Sequence, residues 1–255
     1  ASDVYKRQYY SKKRSQTWAL IKQIPKFIKT IYSERKIAEK ISLEQNADII
    51  ISDNRFGFRS SKTLNIYLTH QLKIKGPSPL IKIVNQINRL FIKKFDHCWV
   101  PDFKNSLLSG ELSDSNLEKI FIGPQTRFKK IVEERKNYKY KYLAIISGPE
   151  PQRSLMEDEI QNCFLKTNEH CAIINGLTNT KEISAEKITF YPHLETTAFR
   201  ELLTKSEFVI CRSGYSSIMD LYVLQKKVLF IPTPGQTEQE YLAKHHKKTL
   251  SLIHI

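Results

Sequence analysis

Apolar residues along this chain fall into short runs closed by small or polar residues, separated by stripes at three- and four-residue spacing. The two periods predict strands and helices in turn. Residues 16–43 read as a long helical region. Leu20, Ile21, Ile24, Phe27, Ile28 and Ile31 form its apolar stripe, and Lys22, Lys26 and Lys29 recur on another face. Pro25 should kink this helix or divide it in two, because proline has no amide donor and crowds the preceding turn. Residues 48–52 and 65–69 predict strands, the first ending in the polar loop 53–61 and the second at His70-Gln71. A helix over 79–95 precedes strands at 97–100 and 120–122. The charged stretch 127–141 reads as a connector, which puts a domain boundary near residue 138. The pattern then restarts, with strands at 142–146, 172–174 and 188–191 and helices at 154–166 and 199–205. Strands alternating with helices predict an α/β chain, its sheets parallel and covered on both faces.

Residues 207–243 carry the most specific signal. An apolar strand, 208–211, stops at Arg212-Ser213-Gly214. A helical stretch follows with Ile218, Leu221, Tyr222 and Leu224, and a second strand at 228–231 runs into Pro232-Thr233-Pro234-Gly235 and a Gln/Glu cluster. This is a βαβ unit. Its Ser-Gly turn places backbone N–H groups and a helix N-terminus where a phosphate is stabilised. Asp220 lies further along that helix, at a distance suited to ribose hydroxyls. The segment reads as a nucleotide site.

The same segment resembles the C-terminal domain of family 28 glycosyltransferases, the donor-binding half of a GT-B enzyme. The best-known members add N-acetylglucosamine to the peptidoglycan lipid intermediate. The features in register are Arg212-Ser213-Gly214, Ser216-Ser217, Asp220, Pro232, Gln239 and Ala243. Two positions depart from the family pattern: Glu238 stands where its first glutamine falls, and Asp220 replaces a longer glutamate. Both bear on the identity of the donor sugar.

The resemblance implies a fold of two Rossmann-like domains, the N-terminal one truncated. It also implies transfer of a hexose, such as N-acetylglucosamine, from a UDP-sugar to a lipid-linked or other acceptor. The family's reaction is typically inverting and needs neither a bound metal nor a cofactor. Ser147, Gly148, Arg153, Arg212, Ser213, Gly214, Ser216, Ser217, Asp220, Glu238 and Gln239 are then the expected donor-binding residues. Ser147-Gly148-Pro149 ends the first strand of its domain, where ligands lie in open α/β sheets. Arg153 offers a guanidinium suited to a diphosphate. In the first half, Asp53-Asn54-Arg55-Phe56-Gly57 and Thr69-His70-Gln71 are similar to paired motifs of another GT-B group. By that likeness Asp53, Arg55, Arg59 and Gln71 are expected on the acceptor side. His70 is a candidate general base, with a structural histidine as the plainer reading.

The ends read differently. Residues 3–8 and 250–255 can be translated from one transposon adapter sequence in opposite orientations, so 1–8 and 250–255 are expected to be adapter-derived scars. That leaves 9–137 as a partial acceptor-side domain and 138–249 as the nucleotide-sugar domain, with the natural chain expected to extend past both ends.

Composition narrows the function classes. No apolar run reaches the roughly 18 residues of a membrane span. The four cysteines share no metal-ligand spacing and read as buried free thiols of a reducing compartment. The net charge of +15 is uneven: residues 9–137 hold 25 Lys/Arg against 12 Asp/Glu, and residues 138–249 hold 14 against 13. A basic domain suits nucleic acid or an anionic membrane surface. Absent RNP, zinc-finger and helix-turn-helix signatures argue against nucleic acid. The expected location is the cytoplasm, peripheral on the inner membrane face. A sugar-nucleotide epimerase of the same architecture and a basic nucleic-acid-binding protein stand as competing readings.

Overall fold

The computed structural model describes residues 13–76, 80–129, 138–176, 183–185 and 187–247, with side chains from residue 25 onward except in 183–185. The expected scars at 1–8 and 250–255 lie outside these residues. The chain forms two compact units that meet at Gly123 and Pro124.

The first unit runs α1 (Lys13–Glu44), β1 (Ile49–Asp53), β2 (Leu64–Leu68), α2 (Ile81–Ile92), β3 (His97–Val100), a 3-10 turn (Gly110–Ser113) and β4 (Ile120–Phe121). Its four strands are parallel and lie in sequence order. Tyr67, Leu72, Ile92, Phe95, Cys98 and Val100 form the core. α1 is one helix that continues through Pro25, so the expected division does not occur. A proline in a helix interior costs about 3 kcal/mol, and tertiary packing on the C-terminal side of Pro25 opposes that cost. Phe27 sits edge-on to Phe56 and Phe91, and Ala38 and Ser42 are buried further along. Ile28, by contrast, is exposed.

The second unit runs β5 (Tyr140–Ile145), α3 (Gln152–Phe164), β6 (Cys171–Ile174), β7 (Ile183–Ala185), β8 (Ile188–Tyr191), α4 (Thr196–Thr204), β9 (Ser206–Cys211), α5 (Tyr215–Val223), β10 (Lys227–Phe230) and α6 (Thr237–His246). The sheet order is β10-β9-β5-β6-β8-β7, parallel except for the β7–β8 pair. α3 packs Met156, Ile160 and Phe164 against Ala144, Cys171, Ile173 and Ile210 of the strands. β7 was not expected; three residues with an antiparallel partner leave too short an alternation to separate from a loop.

The division at Gly123 and Pro124 lies ahead of the boundary read near residue 138. Residues 124–129 pack with the second unit for a local reason. Gln125 N–H donates to Met219 Sδ at 3.3 Å, and the buried Phe128 stacks on Phe199 with centroids 6.1 Å apart. Cys98, Cys171 and Cys211 are buried as expected, but Cys163 is exposed, on the solvent side of α3.

Candidate functional site

Strand order in the second sheet reverses at β5. From it the chain steps outward through β6 to β8, then crosses back to place β9 on the other side. Such a switch point opens a crevice beyond the carboxyl ends of the two central strands. β5 and β9 pair with Ile145 opposite Cys211, so their exits stand side by side. The residues there are Ser147-Gly148 after β5 and Arg212-Ser213-Gly214 after β9, both singled out from sequence.

Gly214 caps the start of α5 with no side-chain capping bond. A Cβ built on it would meet no atom within 4 Å, so the turn faces open space. The first turn of α5 therefore presents its dipole to that space, with Ser216 exposed and Ser217 half-buried beside it. Gly148 needs its lack of a side chain differently: its φ of 110° belongs to the region that favours glycine. The Ser147-Gly148 loop lies over Arg212 and Thr233, with a Gly148 Cβ position 3.9 Å from Arg212 Nε and from Thr233 Oγ1. Thr233 Oγ1 is buried with no hydrogen-bond partner among the described residues. An orphan hydroxyl costs stability, and an anion reaching it would relieve that cost.

Several expected ligand groups are engaged elsewhere. Arg212 is buried, and its guanidinium donates to four backbone carbonyls: Gln152 at 2.7 Å, Pro232 at 3.1 Å, Ile231 at 3.2 Å and Ser147 at 3.5 Å. It braces the loops after β5 and β10 against the turn after β9. Ser213 is fully buried and donates to the Gln239 carbonyl at 2.8 Å. Gln239 Oε1 accepts the Thr233 N–H at 2.8 Å, and Glu240 Oε1 accepts that of Gly235 at 2.9 Å, so α6 holds the proline loop from below. Glu238 stands half-buried in the first turn of α6. Arg153 donates to the Asn175 carbonyl at 2.5 Å and lies 3.2 Å from Glu150 and 3.4 Å from Glu157, so its charge is compensated locally.

Asp220 is held by residues that sequence reasoning missed. Thr126 Oγ1 donates to its Oδ1 at 2.5 Å, and Arg127 Nε lies 3.6 Å from Oδ2. Burial pushes the Asp220 carboxyl above the usual carboxylate range, while Thr126 and Arg127 oppose the rise. With Ser216, Ser217, Phe199, Ile145, Leu203 and Leu221, Arg127 and Asp220 line a cavity of about 360 Å³. Thr126 and Asp220 lie 94 positions apart. Neither periodicity nor motif spacing signals such a contact.

In the first unit, β1 and β2 are paired with Asp53 opposite Leu68, so the Asp53–Gly57 loop and Thr69-His70-Gln71 leave one end of one sheet. Asp53 is exposed, and His70 and Gln71 are half-buried. Arg55 donates to Glu34 Oε1 of α1 at 2.9 Å, and Gly57 N–H donates to Oε2 of the same carboxylate at 3.3 Å. Arg55 is thus engaged in docking α1. Arg59 is half-buried, and burial and then Arg35 push its guanidinium below its ordinary value, opposed by Glu39. Among the described residues, no group of three or more His, Cys, Asp and Glu side chains converges.

Residues 134–253 match the model of the glycosyltransferase family 28 C-terminal domain. A curated relative from Sulfurihydrogenibium sp. (strain YO3AOP1) is 27% identical over 124 residues, or 47% of this chain. It is described as a UDP-N-acetylglucosamine–N-acetylmuramyl-(pentapeptide) pyrophosphoryl-undecaprenol N-acetylglucosamine transferase, and the matched stretch spans 33% of its length. The crystal structure of the glycotransferase of kitacinnamycin superposes with a TM-score of 0.59 at 12% identity, covering 92% of this chain and 70% of that one. A UDP-N-acetylglucosamine 2-epimerase structure from Listeria monocytogenes gives 0.51 at 11% identity, over 88% and 72%. At these identities the structures establish the α/β fold. The likeness to family 28 read from residues 207–243 extends across the second half of the chain.

Proposed function

We propose that this protein, with a family 28 glycosyltransferase C-terminal domain in its second half, transfers a hexose from a UDP-sugar to an acceptor hydroxyl. The observation that carries the reading is the switch point. There the exits of β5 and β9 stand side by side, an uncapped helix N-terminus faces open space at Gly214, and Ser216, Ser217 and Asp220 line one cavity. A nucleoside diphosphate presents the matching chemistry. Its phosphates suit the positive end of α5, and its ribose hydroxyls suit a carboxylate.

In this proposal the acceptor hydroxyl attacks the anomeric carbon directly and inverts it, the C–O bond to the diphosphate breaks, and a base removes the hydroxyl proton. Charge develops on the departing diphosphate, where the α5 dipole and serine donors stabilise it. Arg212 acts by fixing the loops around that charge. No step calls on a resident metal or cofactor. His70 is the proposed base. The acceptor is proposed to be lipid-linked, with the protein cytoplasmic and peripheral on the inner membrane face. No helix among the described residues is long and apolar enough to cross a membrane.

Calorimetric titration with UDP tests the donor site. Wild type is expected to bind, and Asp220→Ala to bind about 1–3 kcal/mol more weakly, the scale of a hydrogen bond to a charged group. Equal affinities would remove Asp220 from the site. A glycosyltransferase releases UDP in proportion to added acceptor, whereas an epimerase turns its donor over without one.

A further inference from the structure

We propose that Thr126 and Arg127, in the segment that enters the second unit, are positioning residues that fix Asp220 as the carboxylate meeting a nucleoside diphosphate's ribose in this cavity. The inference rests on the donor-site reading above and adds two residues that lie outside the family-matched stretch, which begins at residue 134.

The segment is riveted at consecutive residues. Gln125 N–H reaches Met219 Sδ, next to Asp220 on α5. Thr126 Oγ1 accepts the Phe128 N–H at 3.1 Å and donates to Asp220 Oδ1. A hydroxyl has one proton to give, so Thr126 spends it on the carboxylate and its own orientation is set by the backbone. Arg127 is held in place by rings, its guanidinium 5.1 Å from the Phe128 centroid and 4.9 Å from that of Phe199. From there it reaches Asp220 Oδ2 only loosely, at 3.6 Å. A carboxylate has about four acceptor sites. Thr126 fills one and Arg127 lies near another, which leaves capacity for the two hydroxyls of a ribose on the cavity side.

The same contacts govern protonation. Burial favours the neutral acid, and Thr126 and Arg127 favour the ion. Arg127 is the charged group acting on Asp220 among the described residues. An ionised carboxylate accepts from ribose; a protonated one has given up part of that capacity. Nucleotide binding through Asp220 is therefore present above its folded-state pKa and lost as pH falls through it. Removing the Thr126 hydroxyl or the Arg127 charge leaves burial less opposed, so the loss should begin at higher pH.

The test uses the full chain as wild type, Thr126→Val, Thr126→Ser and Arg127→Gln. The Asp220 carboxyl is titrated by carbon NMR, and UDP affinity is measured by calorimetry across the acid range. Thr126→Val and Arg127→Gln should both move the Asp220 titration and the acid limb of UDP binding upward together, and Thr126→Ser should restore both. At neutral pH, Thr126→Val should bind UDP roughly ten- to a hundredfold more weakly, in line with one hydrogen bond to a charged group. Arg127 is half exposed, so Arg127→Gln keeps the test open if Thr126→Val fails to fold. Wild-type UDP binding with acid limbs that coincide in all variants would overturn this proposal alone and leave the segment as a brace. Failure of wild type to bind UDP would instead overturn the donor-site reading on which it rests.

Discussion

Gly57 offers the sharpest test of how the first unit is assembled. A Cβ placed on it would lie 2.3 Å from the Ile31 carbonyl oxygen, 2.7 Å from Glu34 Cβ and 2.8 Å from Ile31 Cα. Two of these three atoms are backbone of α1, so no rotamer change relieves the contact. Ordinary van der Waals contact begins near 3.4 Å, so Gly57→Ala must drive α1 and the loop about 1 Å apart. Overpacking of this kind costs about 1–3 kcal/mol. The displacement also stretches the Gly57–Glu34 and Arg55–Glu34 contacts, and the exposed ion pair adds at most about 1 kcal/mol. The expected loss is therefore about 1–4 kcal/mol, which lowers the urea midpoint by roughly 0.3–4 M for an m-value near 1–3 kcal/mol/M. Both tryptophans, Trp18 and Trp99, belong to the first unit, so tryptophan fluorescence during urea unfolding follows that unit selectively. The proposed UDP site lies in the second unit, so UDP affinity should not change. A Gly57→Ala midpoint within about 0.2 M of wild type would refute the close approach of α1 to this loop. The Asp53–Gly57 motif would then be released for the ligand-binding role first read for it.

Two other outcomes bear on the roles assigned. Arg212→Lys removes a planar fork that serves four carbonyls, and a single ammonium cannot replace it. It should destabilise the second unit by about 2–4 kcal/mol, measured by circular dichroism, and weaken UDP binding with it. Wild-type stability with lost UDP binding would make Arg212 a direct ligand rather than a brace. For the membrane proposal, anionic vesicles should co-sediment the protein at low salt and release it at high salt, since each lysine near such a surface contributes about 1 kcal/mol. No sedimentation at low salt would leave the acceptor in solution.

The strands were legible because both faces of a central parallel strand are covered. β5, β6 and β9 therefore read as near-continuous apolar runs whose ends are marked by Ser147-Gly148, Asn175-Gly176 and Arg212-Ser213-Gly214. The turn after β9 was legible for a chemical reason as well: small residues between a strand and a helix have few other uses. Side-chain direction at those turns was not legible. Arg212, Ser213 and Gln239 carry the right chemistry for a ligand, yet each is turned toward the loops it holds, because buried backbone carbonyls and amides near a crevice must find partners. Arg55 is drawn off in the same way by Glu34, and the close packing of Gly57 on α1 depends on where that helix lies.

Asp220 marks the limit most clearly. Its position one turn into α5 follows from local sequence alone. Its partners Thr126 and Arg127 come from the segment ahead of β5, 94 positions away for Thr126, and only folding the second unit brings them to its carboxylate. Local sequence sets periodicity and turns, because those depend on neighbouring residues. Which buried polar group satisfies which other depends on long-range packing, and that the tertiary structure alone decides.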